Sequence, residues 1–187
     1  MTRRDLLKRL TAIPLLAGWQ RGSAAQPAAD TKGVEVLQRD WKTLLAANAD
    51  VALTTEPLRL SSEEWRKRLT AAQYDVLRQE GTERAGSSPL DREKRPGVFV
   101  CAGCSLPLFS SAMKYDSGTG WPSFFTTIPG VLVTKRDFKL IFPRTEYHCV
   151  RCEGHQGHVF DDGPKPTGLR YCNNGVALRF IPKPGAA

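Results

Sequence analysis

The spacing of apolar residues changes character along the chain. In VEVLQRDWKTLLA, Leu37, Trp41, Leu44 and Leu45 share one face of a helix. Ser61 with Glu64 and Thr70 with Gln73 form capping boxes ahead of EEWRKRL and AAQYDVLRQ, predicting two more short helices, the second ending at Gly81. From residue 96 the rhythm shortens. GVFVC, GVLVTKR, DFKLIF, EYHCV, GHVF and GVALRFI are brief runs of β-branched and aromatic residues separated by Gly, Pro, Asp and Ser, and they predict antiparallel strands. Helices followed by strands predict an α+β domain, mainly β, with the helices on one side of a sheet assembly.

The N-terminus follows a third pattern. A basic segment (Arg3, Arg4, Lys8, Arg9) leads into a mostly apolar stretch from Leu10 to Trp19 and then to Ser23, Ala24 and Ala25, the layout of a cleavable export signal. TRRDLLK resembles the twin-arginine type, which names the twin-arginine export machinery as a partner and the periplasm as the destination. The apolar stretch is well short of the roughly 20 residues that span a bilayer; an uncleaved anchor is the alternative. The expected organisation is a signal over 1–25, a linker over 26–33, one domain over 34–182 and a tail over 183–187, consistent with the 187-residue length.

Charge narrows the choice of partner. Cleavage near Ala25 removes five basic residues and Asp5, lowering the formal charge from +8 by 5 − 1 to +4. That mild bias, without a basic stripe, argues against a nucleic-acid partner.

The cysteines carry the chemistry. Cys101 with Cys104 and Cys149 with Cys152 form two CxxC pairs, while Cys172 in RYCNNGVALRF stands apart. Two such pairs can complete the tetrahedral shell of one zinc. The long separation between them requires two distant hairpins to converge, so the metal would staple sheet segments together. Disulfides are the competing reading for an exported chain, and His155 and His158 of CEGHQGH are alternative ligands. Four thiolates already satisfy a structural zinc, leaving both histidines available.

CAGCSLPLFSSAMKYDSGTGWPSFF, EYHCVRCEGHQGHVFDDGPKPTGLRYCNNGVALRF and the upstream SSEEWRKRLTAAQYDVLRQEGTER together resemble the methionine-R-sulfoxide reductases of the MsrB type, from about Ser61 to Pro182. The resemblance implies two antiparallel β-sheets with N-terminal helices and a four-cysteine zinc distant from the active site. It implies reduction of methionine-R-sulfoxide in oxidised proteins. Cys172 is the implied nucleophile, with Asn174 two residues on. By the same resemblance His155 and His158 are expected to bind the sulfoxide oxygen or donate its proton, Asp162 and Arg170 to polarise and orient them, and Trp121 to pack on the substrate methyl. His148, beside a CxxC pair, reads as structural.

The chemistry suits these residue types. Reduction needs a nucleophile at sulfur and a proton for the departing oxygen; a cysteine supplies the first, becoming a sulfenic acid, and a histidine the second. There are two departures from the family pattern. Thr119 stands where one subgroup carries a resolving cysteine in SGCGWPSF, so Cys172 is expected to be a one-cysteine catalyst regenerated by a thioredoxin-like protein or a small thiol. Asn173 stands where a bulkier aliphatic residue is common. Rival readings are a zinc-stapled nucleic-acid module, a redox enzyme using CxxC, and a purely structural exported metal protein.

Overall fold

The computed structural model describes residues 31–138 and 143–186. The export-signal pattern lies outside them, as do four residues of DFKLIF. Among the described residues no helix is long and apolar enough to cross a membrane.

Helix α1 (Thr31–Asp40) starts inside the segment read as linker and passes into a 3-10 turn over Trp41–Leu44. Helices α2 (Ser62–Arg68) and α3 (Ala71–Gln79) begin at Ser61 and Thr70 with both halves of each capping box formed, each box contributing on the order of 1 kcal/mol. α3 covers the AAQYDVLRQ segment, and Glu80, at φ 56°, takes the left-handed conformation just ahead of Gly81.

Nine strands follow among the described residues: β1 (Gly97–Cys101), β2 (Pro107–Ser110), β3 (Lys114–Tyr115), β4 (Ser123–Phe124), β5 (Leu132–Asp137), β6 (Arg144–Cys149), β7 (His155–Phe160), β8 (Arg170–Asn173) and β9 (Leu178–Pro182). They form two antiparallel sheets, β2-β1-β9 and β3-β4-β8-β7-β6-β5. The expected strand in GVALRFI begins only at Leu178, because Gly175–Ala177 forms a 3-10 turn. Of DFKLIF, Asp137 closes β5 and Phe138 is exposed.

The core lies between the sheets. Phe124 stacks on Phe109 at 4.0 Å and meets Phe99 edge-on at 5.1 Å, while Tyr147 meets Tyr171 edge-on. All but Tyr171 are fully buried. Helices α2 and α3 cover the CxxC turns. A Cβ on Gly103 would lie 3.6 Å from both Leu77 and Trp65, and one on Gly154 only 2.9 Å from Leu77.

Register fixes which side chains share a face, because alternate residues point the same way. Lys135 pairs with Glu146 and Asp137 with Arg144 across β5–β6; Glu146 pairs with His158 and, beyond a bulge, His148 with His155 across β6–β7; His158 pairs with Cys172 across β7–β8. All three histidines, Cys172 and these four charged residues therefore lie on the face opposite Tyr147.

Candidate active site

Strands β7 and β8 can approach closely because position 157 is glycine; a Cβ there would lie 1.9 Å from the Cys172 carbonyl oxygen. A cleft of about 120 Å³ opens at this point, lined by Trp121, Arg144, His158, Phe160, Cys172 and Asn174 among others. Cys172 is half-buried, and burial pushes its thiol pKa up, partly offset by Arg170 and by a hydrogen bond with Thr119. Thr119 is held in turn by Ser117 at 2.8 Å, and Ser117 by Ser123 at 2.7 Å.

His158 lies directly across from the thiol. Its Nε2 is 2.9 Å from Asp137 Oδ2, the same oxygen that accepts from the Arg144 guanidinium at 2.6 Å. Burial lowers the pKa of His158, while Asp137 acts to raise it. His155 is only 1% exposed and stands behind the cleft rather than on its lining, its ring 5.4 Å from those of both His158 and His148. Its Nδ1 is 3.1 Å from Glu146 Oε2, yet neither ring nitrogen makes an aligned hydrogen bond among the described residues. Burial, with the neighbouring imidazoles, takes its pKa down to about 4.

Asp162 and Arg170 pair with each other. Asp162 engages Arg170 through two hydrogen bonds, at 2.8 and 2.7 Å, and the guanidinium covers the Phe160 ring at 4.3 Å. Neither has a described hydrogen bond to a histidine. The charge of Arg170 favours the Cys172 thiolate and that of Asp162 opposes it. The carboxylate on His158 is Asp137, which sequence reasoning missed because it lies 21 residues away, on a strand that is not even the neighbour of β7 in the sheet.

Trp121 and Asn174 are held by a second missed residue, Glu83. Trp121 Nε1 donates to the Glu83 carbonyl at 3.2 Å, Asn174 Oδ1 accepts from the Glu83 amide at 3.0 Å, and the Glu83 carboxylate accepts from the amides of Gly175 and Val176. Asn174 also donates to the Gln156 carbonyl at 3.0 Å. One loop ahead of the sheets thereby fixes both the aromatic wall and the asparagine of the cleft.

The CxxC pairs converge at hairpin tips of matching design. Cys101 and Cys149 amides donate to Leu106 and Gly154 carbonyls, and the residue after each pair, Ser105 at φ 60° and Glu153 at φ 58°, turns back to the first cysteine's carbonyl. Sulfur separations of 3.6 Å (Cys101–Cys152) and 3.5 Å (Cys104–Cys149) are too long for disulfides, so these four thiols, like Cys172, are free. A tetrahedral zinc with Zn–S of about 2.3 Å would space its sulfurs about 3.8 Å apart, so the four residues fit a metal with little adjustment. Gln156 Nε2 donates to Cys101 Sγ at 3.3 Å, the kind of outer contact that orients a ligand. Glu146, His148 and His155 are also close enough to hold a cation.

Comparison with known proteins follows the same residues. The SelR domain matches residues 69–182. The chain belongs to the SelR family. Among similar proteins, "Peptide methionine sulfoxide reductase B1, chloroplastic" of Arabidopsis thaliana is 51% identical over 134 residues, 71% of this chain and 66% of that protein. The "Peptide methionine sulfoxide reductase MsrB" of Leptospira interrogans is 50% identical over 64% of this chain and 92% of its own length. That of Bradyrhizobium diazoefficiens is 48% identical over 73% and 99%. The chain thus spans just under two thirds of the plant relative and nearly all of the bacterial ones. The mainly β, two-sheet architecture and buried four-cysteine cluster agree with what the resemblance to this family implies.

Proposed function

We propose that this SelR-family chain reduces the R epimer of methionine sulfoxide in oxidised proteins, with Cys172 as nucleophile. The observation that carries the reading is the direct opposition of Cys172 and His158 in a cleft walled by Trp121. The Cys172 sulfur attacks the sulfoxide sulfur and forms an S–S bond as the oxygen is protonated. The hydroxyl then passes to the Cys172 sulfur as the S–O and S–S bonds break, leaving Cys172 as a sulfenic acid and methionine as the thioether. His158, once protonated, supplies the proton that makes the oxygen a tolerable leaving group. Trp121 packs on the methyl group, Asn174 closes the cleft wall, Arg170, held by Asp162, favours the thiolate, and His155 supports His158 from behind. Two equivalents of an external thiol, protein or small, then return Cys172 to the thiol with release of water and a disulfide.

Cys101, Cys104, Cys149 and Cys152 hold one structural zinc, which closes the hairpin from which β7 departs. Residues 1–25 direct export by the twin-arginine route, which carries folded chains and so lets zinc bind before oxidation competes for the thiols. The enzyme then repairs exported proteins in the periplasm. Recovery of the processed chain only from the cytoplasm of fractionated cells would refute the export reading, and a metal-free purified protein the zinc reading.

The decisive assay offers the separated R and S sulfoxides of a blocked methionine with dithiothreitol to the protein and to Cys172→Ser. Turnover of R alone, abolished by the substitution, is expected. Equal turnover of both epimers, or survival of activity in Cys172→Ser, would overturn the assignment.

A further inference from the structure

The face that carries Cys172 repeats one arrangement twice. Arg144 on β6 holds Asp137 on β5 at 2.6 Å, and Asp137 reaches His158 on β7 at 2.9 Å. One layer along, Lys135 on β5 holds Glu146 on β6 at 2.8 Å, and Glu146 approaches His155 on β7 at 3.1 Å. Both carboxylates are nearly inaccessible, with side chains 3% exposed. A carboxylate so buried is tolerable when a cation and hydrogen bonds compensate its lost hydration, and each has its cation. Burial works against the charge of Glu146, but Lys135 and His148 keep its carboxyl below the ordinary range.

We propose that Asp137 and Glu146 are positioning residues of the reaction, Asp137 fixing the imidazole of His158 and Glu146 acting by its charge on the paired ring of His155. The inference rests on the reading of His158 as proton donor. A carboxylate against one ring nitrogen makes that nitrogen the proton-bearing one, sets the ring plane, and stabilises the imidazolium when the ring is charged. Asp137 thereby leaves His158 Nδ1 as the nitrogen not engaged by the sheet. Glu146 acts on His155 by its charge, with Oε2 3.1 Å from Nδ1 but not aligned for a hydrogen bond, and the His155 ring backs His158 at 5.4 Å. The groups facing His158 are Asp137 from β5, Arg144 and Glu146 from β6, His155 on its own strand and Cys172 from β8. Those facing His155 are Glu146, His148, His158 and Glu80 at the end of α3. Asp137 and Glu146 oppose burial by favouring the charged rings, whereas Arg144 disfavours it in His158.

The test has a kinetic arm and a spectroscopic one. Asp137→Asn is expected to lower kcat for the R sulfoxide about tenfold or more, within the range that general acid catalysis supplies, with KM changed less than about twofold. The alkaline limb of its kcat profile should move to lower pH, because the imidazolium gives up its proton sooner, and Asp137→Glu should restore part of the rate. The His158 imidazole is also titrated by NMR in a Cys172→Ser background, with its resonance assigned by loss in His158→Asn. Asp137→Asn should move this titration to lower pH and Arg144→Gln to higher pH, opposite signs that a general loss of packing would not produce. The NMR arm needs no turnover, so an inactive parent protein would refute the proposed function while the titration still decides the placement of Asp137 against His158. If Asp137→Asn does not fold, Arg144→Gln alone decides. An unmoved His158 titration overturns the role of Asp137. For Glu146→Gln the same kinetic loss is expected with metal content unchanged; a second equivalent of metal per chain that disappears in this variant would instead make Glu146 a ligand and overturn its half.

Discussion

Cys172 and His158 are directly opposed across the β7–β8 ladder, with side chains on the same face of the sheet. The nucleophile is thus delivered to its acid by strand register rather than by a loop. It is nonetheless a resting thiol, because burial outweighs the help of Arg170 and Thr119. Alkylation of the native, metal-loaded protein by iodoacetamide should therefore be slower at pH 7 than for an exposed thiol and should still rise with pH past the ordinary thiol range of about 8.5. Arg170→Gln should slow it further at fixed pH. A rate already flat at pH 7 would show a thiolate that burial does not suppress.

Thr119 is within hydrogen-bonding reach of Cys172, at the position where the family resemblance places a resolving cysteine. Thr119→Cys should let the enzyme close a disulfide to Cys172 after a single turnover without added reductant, seen as loss of two free thiols by mass spectrometry. The wild type should instead stop at a sulfenic acid that a dimedone-type probe labels. Persistence of the label in Thr119→Cys would mean that the two positions do not meet during turnover.

His155 makes a prediction about acid. Its folded-state pKa, about 4, lies below the usual 6.5, so the unfolded chain binds the extra proton first. The associated stability is fully present above pH 6.5 and is lost as pH falls toward 4. At about 1.4 kcal/mol per unit the loss is roughly 3 kcal/mol. Denaturant titrations at pH 7 and pH 4.5 should show this fall in the wild type and a smaller one in His155→Asn. An identical fall in both would assign the acid sensitivity elsewhere, to the thiolates foremost.

How much of this was legible depended on whether the signal was local. Capping boxes specify their own helices, so α2 and α3 could be read to the residue at their starts. The CxxC pairs and the lone Cys172 were visible as spacing. Strands β2, β3, β4 and β8 were missed because they run only two to four residues and begin at or near Pro107 or polar Lys114, Ser123 and Arg170, with too few alternations to register. Asp137, Arg144, Glu146 and Glu83 went unread for a different reason: a charged residue in an exposed-looking strand or loop acquires its role only when the fold places it beside its partner. Assigning Asp162 and Arg170 to the histidines relied on resemblance, and side-chain geometry pairs them with each other.

Asn173 has a structural explanation. Its Oδ1 accepts from the Tyr147 hydroxyl at 2.9 Å, and its Nδ2 donates to the Asn174 carbonyl at 2.8 Å and reaches Gln156 Oε1 at 3.4 Å, while Gln156 donates to Cys101. Both amides are fully buried. Removing either strands the other's polar groups, at a cost of about 1–3 kcal/mol. Asn173→Val and Gln156→Leu should each destabilise the fold by that order, while the double variant should cost less than the sum, as a thermodynamic cycle of urea unfolding would show. Strict additivity would mean that the two amides do not communicate.

The cleft of about 120 Å³ at Cys172 holds one reactive sulfur between the close-packed β7 and β8 and the Trp121 wall that Glu83 fixes. Sulfoxide and reductant must therefore both act at that same sulfur. The two half-reactions are forced into alternation: the repaired methionine has to depart before a thiol can approach the sulfenic acid. Initial-rate plots against one substrate at several fixed levels of the other would then be parallel, and a tightly held product would slow regeneration as well as release.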